Sequence, residues 1–212
     1  LTEQEAVDAF HTCWYNNWNR TWEQVHWLGA KALKCPLDLW IYQELLYRIH
    51  PDVVIECGTA FGGGAAFLAS IMDLLDHGRV VTVDLLGTEE FPQRPAHPRI
   101  TYLKGSSTDL ATLDRVKEHI GTDAVVLVIL DSDHREAHVT AELELYAPLV
   151  SSGSYLIVED TNVNGHPVVP EHGPGPMEAL NAFLPTHPEF EVDEGCEKFF
   201  MTFNPNGYLR RR

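Results

Sequence analysis

Five apolar runs punctuate the chain at regular intervals. They are DVVIE (52–56), RVVTVDL (79–85), RITYLKG (99–105), AVVLVIL (124–130) and GSYLIVED (153–160). Most are rich in Val, Ile and Leu without a polar alternation, the pattern of strands buried on both faces. Between them, GGAAFLASIMDLLDH (63–77), DLATLDRVKEHI (109–120) and REAHVTAELELYAPLV (135–150) carry helical periodicity. Strands alternating with helices predict an α/β fold, a doubly wound, mostly parallel sheet covered on both sides. A further helix is expected near 176–184, and FEVDE and FFMTFN (190–194 and 199–204) as two final strands forming an antiparallel edge, seven strands in all.

Residues 1–50 read differently. Trp14, Trp18, Trp22 and Trp27 recur at four- to five-residue intervals. This predicts amphipathic helices packed on something larger, an aromatic core stripe in preference to a ligand-stacking platform. CPLDLWIYQELLYRI (35–49) is a helix with Pro36 in its first turn and Pro51 beyond its end. The organisation is therefore a small helical N-terminal segment, 1–50, followed by one domain, 51–212. The Gly/Pro-rich stretch 161–176 is longer than most connections and reads as a mobile substrate lid.

Charge narrows the range of partners. The formal net charge is −16, so the chain repels phosphate backbones and nucleic acid is not an expected partner. No apolar run reaches membrane-spanning length. The four cysteines include no Cys-x-x-Cys pair, which suggests neither zinc nor a redox dithiol and fits a reduced, cytoplasmic setting. No signal peptide is visible. The tryptophan-rich N-terminus is a candidate interface for a homo-oligomer.

The chemistry concentrates at strand ends. In VVIECGTAFGGGAAF (53–67), Gly58, Gly62, Gly63 and Gly64 let the backbone approach a ligand at a helix N-terminus. The spacing is not the G-x-G-x-x-G of dehydrogenases, and no P-loop Lys follows. Glu56, at the strand's end, would repel a pyrophosphate but suits an ammonium or hydroxyls. Asp84 closes the next strand, where a carboxylate can accept from both ribose hydroxyls, and Ser107 in GSSTD (105–109) can reach an adenine edge. Together these describe an S-adenosylmethionine pocket across 56–64 (Glu56, Gly58, Thr59, Gly62 and Gly63 included), Asp84 and Ser107.

LDSDH (130–134) and VEDTN (158–162) end two more strands one strand–helix–strand unit apart. Asp131, Asp133, Glu159 and Asp160 cannot all ionise in close quarters, and a hard divalent cation, Mg2+, would relieve the repulsion. Such an ion would hold the hydroxyl of an acceptor and lower its pKa. His134 adjoins the cluster and is the expected general base, with Asp131 beside it. His166 and His172, on the lid, are expected to face the acceptor. An iron site built from two histidines and one carboxylate, drawn from the same pool, is the alternative.

The stretches LKCPLDLWIYQE, IECGTAFGGGAAFLASIMDL, GSSTD, VILDSDH, LYAPLVSSGSYLIVEDTNVNGHPV and GPGPMEA closely resemble the cephalosporin hydroxylase family, whose members include rhamnosyl O-methyltransferases. The resemblance runs over about residues 25–210 and leaves 1–24 outside. It implies a class I methyltransferase (Rossmann-like) sheet and magnesium held by Asp133, Glu159 and Asp160. Similarity to catechol O-methyltransferase makes Asp131 the alternative ligand to Asp133. It also implies that ALKCPLD (32–38) passes the methionine end of the cofactor, which gives Lys34 a place there. The implied function is O-methylation of a small hydroxylated molecule, a sugar or a secondary metabolite of the kind met in antibiotic biosynthesis. The alternatives are a component of cephalosporin 7α-hydroxylation and methoxylation, or a non-catalytic partner that binds the cofactor.

Overall fold

The computed structural model describes all 212 residues. In chain order the elements are α1 (Glu3–Tyr15), β1 (His26–Trp27), β2 (Ala30–Lys31), α2 (Pro36–Ile49), β3 (Val53–Cys57), α3 (Gly63–Leu75), β4 (Arg79–Asp84) and β5 (Ile100–Lys104). There follow α4 (Leu110–Lys117), β6 (Val126–Leu130), α5 (Glu136–Tyr146), β7 (Tyr155–Val158), α6 (Pro176–Phe183), β8 (Phe190–Val192) and β9 (Tyr208–Arg211). Seven strands form one sheet in the order β5-β4-β3-β6-β7-β9-β8. Only the pairings of β9 are antiparallel. The seven-stranded, mostly parallel α/β architecture expected from the apolar runs is the one found.

Strand register decides which residues meet. Along β3, Val53, Ile55 and Cys57 face one core cluster, while Val54 faces the other. The same alternation holds in β6, with Val126, Val128 and Leu130 on the first face and Leu127 and Ile129 on the second. The second face is covered by α2 and α3 through Leu39, Tyr42, Leu45, Leu46, Phe67 and Leu68. The helix starting at Pro36 thus belongs to the main core. Pro36 stands in its first turn, and His50 ends it in a left-handed conformation (φ 53°).

β3 lies between β4 and β6, so successive connections leave it in opposite directions. In open α/β sheets, such a switch point leaves a crevice at the carboxyl ends of the strands. Glu56, Asp84, Asp131 and Glu159 all lie at those ends.

Three expectations need correction. FFMTFN is not a strand: Thr202 and the Phe203 amide donate to Asp38, at 2.5 and 2.9 Å, so this stretch bonds to a buried carboxylate instead of a ladder. The last strand is instead β9, which takes in Arg210 and Arg211 and lies inside the sheet; the edge is β8. Residues 1–50 do contain strands, the two-residue pair β1 and β2, turned by Leu28 (φ 46°) and Gly29 (φ 91°). Positive φ at both turn positions is what a tight hairpin requires. The tryptophans form no single stripe: Trp14 packs on Phe203, Trp22 on Tyr15 and Trp27 on Phe67, whereas Trp18 is 95% exposed.

α1 is anchored by His11, which is buried, stacked on Phe203 and 3.0 Å from the Asn162 side chain. Burial lowers the His11 pKa to about 4. At neutral pH the imidazole is uncharged in both folded and unfolded chains. Below about 6.5 the unfolded chain takes up the proton first, so stability falls as the pH drops towards about 4. Wild type should lose on the order of 2 kcal/mol relative to His11→Gln over that window. Urea unfolding of both proteins across about pH 4–7 would measure this, and parallel profiles would refute it.

Candidate active site

Leu130 pairs with Val158 across β6 and β7, so the next residues, Asp131 and Glu159, are neighbours at the strand tips. The ladder continues there: the Asp131 amide donates to Cys57 and the Glu159 amide to Leu130, at 2.8 and 2.9 Å. On the other side, Glu56 pairs with Thr82, whose hydroxyl donates to the Glu56 carboxylate at 2.6 Å. Three acids are thereby delivered to one end of the sheet by register alone.

Lys34 enters this group from the segment before α2. Its ammonium donates to Asp131 and, at 2.5 Å, to Glu159. Tyr42 donates to the same Glu159 oxygen at 2.8 Å. Burial would depress the Lys34 pKa, but Asp131, Glu159 and Glu56 outweigh it and hold the ammonium above its usual value. Burial raises the carboxyls of Glu56 and Glu159 to about 7, with Lys34 acting against it in both. Part of the repulsion anticipated from the sequence is thus met within the chain.

Asp131, His134 and Asp160 form the remaining donor group, with one ligand atom from each lying within 4.8 Å of the others. His134 Nδ1 is 3.1 Å from Asp160 and its Nε2 3.7 Å from Asp131. Burial would lower the His134 pKa, yet Asp160 and Asp131 raise it overall. Of the three acids expected as metal ligands, only Asp160 falls in this group. Asp133 borders the cavities but is bonded to Arg135, which holds its carboxyl down at about 2. Glu159 is engaged by Lys34 and Tyr42. The donor set fits a hard divalent cation: Asp131 and Asp160 offer carboxylate oxygens, and Glu159 stands beside them. It does not match the iron alternative, which needs two histidines in the set.

Two cavities meet at this point. One, of about 520 Å³, is lined by Lys34, Glu56, Gly64, His134, Asp160 and His172 among others. The second, about 340 Å³, is lined by Asp84, Ser106, Ser107 and His138. Gly58, Ala60, Asp131, Ser132 and Asp133 border both. Gly58 has φ +100°, and a Cβ there would lie 1.8 Å from the Asp131 carbonyl, so only glycine lets β3 and β6 approach this closely. At Gly64 a Cβ would reach within 2.7 Å of the Glu56 carboxylate. Gly63 instead makes room for the hairpin, its Cβ position lying 2.3 Å from the Lys31 carbonyl. Thr59 lines the larger cavity and shares a hydrogen bond of 2.7 Å with Thr82. Gly62, with φ +80°, caps α3 and faces Pro95 and Tyr102.

Asp84 accepts from the amides of Ala60 (2.8 Å) and Leu86 (2.9 Å) and pairs with the buried Arg94 at 3.0 Å. A carboxylate has capacity for further donors, so these bonds hold it in place without exhausting it. Ser107 is 3.1 Å from His138. Sequence reasoning passes over Arg94 because it sits in a Pro-rich connection; only the fold brings it back to Asp84. Tyr42 is missed because it reads as a core position of an amphipathic helix.

The stretch 161–176 divides. Asn162 and Val168 are fully buried, and the Val168 amide donates back to Asn162. The first half of the stretch is therefore tied down rather than free to hinge. His166 does not face the acceptor side: it is 2.9 Å from Glu178 at the start of α6 and lies off the cavity wall. His172 does line the larger cavity.

A family model described as Rhamnosyl O-methyltransferase/CmcI matches residues 19–212. A curated relative in Mycobacterium tuberculosis, named rhamnosyl O-methyltransferase, is 39% identical over 97% of this chain and 85% of its own. Among solved structures, CmcI with Mg and SAM superposes with a TM-score of 0.65 at 22% identity, over 90% of this chain and 77% of that one. The MycE methyltransferase of the mycinamycin biosynthetic pathway, in complex with Mg and SAH, gives 0.51 at 21% identity, over 73% and 41%. These two structural likenesses concern the fold.

Two substitutions test the geometry. Gly58→Ala should destabilise the protein by about 2 kcal/mol or more, since it adds both left-handed strain and a backbone clash. Lys34→Met leaves buried carboxylates without their counter-ion and should cost about 3 kcal/mol. Urea midpoints measure both, and unchanged midpoints would show that the tips of β3, β6 and β7 are not packed as described.

Proposed function

The chain belongs to the rhamnosyl O-methyltransferase/CmcI family, and from that premise we propose that it is an S-adenosylmethionine-dependent, magnesium-assisted O-methyltransferase acting on a hydroxyl of a small molecule, a sugar in the first instance. The observation that carries this reading is the pair of cavities sharing the Gly58–Asp131 border. The smaller suits a nucleoside, with Asp84 for the ribose hydroxyls and Ser107 for the base. The larger suits the methionine end, the ion and the acceptor. The relative in Mycobacterium tuberculosis is named for a rhamnosyl acceptor, which favours a sugar.

Bound together, the two cofactors would supply an electrophilic sulfonium methyl and a Lewis acid that lowers the pKa of the acceptor hydroxyl. The chain's own residues supply the rest. Asp131 and Asp160 would hold the cation. His134, between them, would take the hydroxyl proton once a cation offsets the two carboxylates that favour its protonated form. Glu56 and Lys34 line the wall where a methionine ammonium and carboxylate would lie, with charges of the right sign for each. Lys34 also fixes Asp131 and Glu159, so the ligand geometry needs little rearrangement. Most of the rate would come from this positioning and charge stabilisation.

Incubation with methyl-labelled S-adenosylmethionine, magnesium and a rhamnoside glycoside should give a product heavier by one methyl group, with chelation of the metal abolishing it. Asp160→Asn should weaken magnesium binding by about 100-fold, and Asp84→Ala should weaken binding of S-adenosylhomocysteine by roughly tenfold or more. Calorimetry on folded variants checks both. Full affinity in either variant would remove that residue from its assigned role, and oxygen-dependent turnover with iron would favour the hydroxylase alternative.

A further inference from the structure

The larger cavity has a roof that belongs to neither the parallel sheet nor its covering helices. Tyr15, at the end of α1, and Trp22, just after it, stand in the cavity wall opposite the strand tips, together with Phe203. Tyr15 stacks on Trp22 with ring centres 5.4 Å apart and meets Phe203 edge-on at 5.4 Å. Matches to the family model begin only at residue 19, so α1 and Tyr15 lie outside what the family model describes.

The polar atoms of this roof lack partners within the chain. The Tyr15 phenol makes no hydrogen bond to protein, and its pKa is pushed up to about 12 by burial and then by the charge of Asp160. Tyr15 and Asp160 line the same cavity. The Trp22 indole N–H is buried without an acceptor, an arrangement that costs free energy unless a ligand completes it. α1 itself is held firmly: His11 stacks on Phe203, and its contact to Asn162 lies two residues beyond Asp160. Tyr15 and Trp22 thus bring unpaired polar atoms to a cavity that Asp131 and Asp160 also line.

We propose that residues 1–24 are the acceptor-recognition element, and that Tyr15 is a specificity-determining residue selecting an uncharged polyhydroxylated ring with one apolar face. The proposal rests on the methyltransferase reading above and adds to it the element that chooses the substrate. The aromatic faces of Tyr15 and Trp22 would cover the C–H face of such a ring. The phenol would bond a hydroxyl next to the one being methylated. An anionic ring is disfavoured, because Glu56, Asp131, Asp133 and Asp160 line the same space.

The full-length chain, loaded with S-adenosylhomocysteine and magnesium, would be examined by hydrogen exchange with and without two probes, methyl rhamnoside and methyl glucuronide. The proposal expects the neutral glycoside to slow exchange across 3–24 and the glucuronide to have little effect. In turnover, Tyr15→Ala should raise KM for the neutral glycoside at least about tenfold with kcat within about threefold, and Tyr15→Phe, which keeps the ring and loses the phenol, should recover part but not all of that loss. Unchanged exchange in 3–24, or an unchanged KM in Tyr15→Ala, would overturn it. If no methyl transfer occurs although S-adenosylhomocysteine binds normally, the methyltransferase reading fails on its own, and the exchange comparison still decides whether 1–24 recognises the ring.

Discussion

The buried contact of Lys34 with Asp131 and Glu159 is the constraint around which the functional end of this molecule is organised. Parallel register puts Glu56, Asp131 and Glu159 on one end of the sheet, where the strands supply these acids with one hydroxyl donor, Thr82 to Glu56, and no positive charge. The ammonium arrives from outside the sheet, from the turn between β2 and α2. It converts an unfavourable cluster into a compact one, leaving the outer pair, Asp131 and Asp160, facing the cavity with His134. Removing both charges in favour of apolar groups would be tolerable for stability. The retention of charge fits the occupants proposed for the cavity, a cationic methyl donor and a divalent ion.

From Glu159 the polar contacts continue inward. Tyr42 bonds Glu159 on one side and accepts from Asn204 on the other, while Asp38 gathers Thr202, the Phe203 amide and Tyr208. This buried network joins α2 to the final segment before β9. It fixes Phe203, on which α1 rests. The chain of support therefore runs from the sheet through Glu159, Tyr42 and the 199–208 segment to the aromatic roof. Each link is a satisfied buried polar group, costly to break.

Much of this is legible in the sequence. Val/Ile/Leu runs with intervening helical periodicity mark β3 to β7 and their covering helices, because strands buried on both faces leave an unambiguous pattern. Gly58, Asp84 and Ser107, which all border the smaller cavity, stand out because they lie at or just beyond the ends of successive strands. The failures have identifiable reasons. FFMTFN has the composition of a strand, but a carboxylate distant in sequence, Asp38, claims its donors. His166 sits beside the expected site in the chain, yet Glu178 turns it elsewhere. Sequence adjacency to a strand tip does not set side-chain direction. Lys34 is placed by resemblance, whereas its contacts with two carboxylates follow only from the fold.

The central claim is that the two adjoining cavities hold one methyl donor, one cation and one acceptor in line. A crystal structure of the protein grown with S-adenosylhomocysteine and magnesium tests it most directly. The account predicts adenine beside Ser107, ribose on Asp84, and a metal ion on Asp131 and Asp160 facing the Tyr15 side of the larger cavity. A nucleoside bound elsewhere, or a metal ion held away from Asp131 and Asp160, would contradict it.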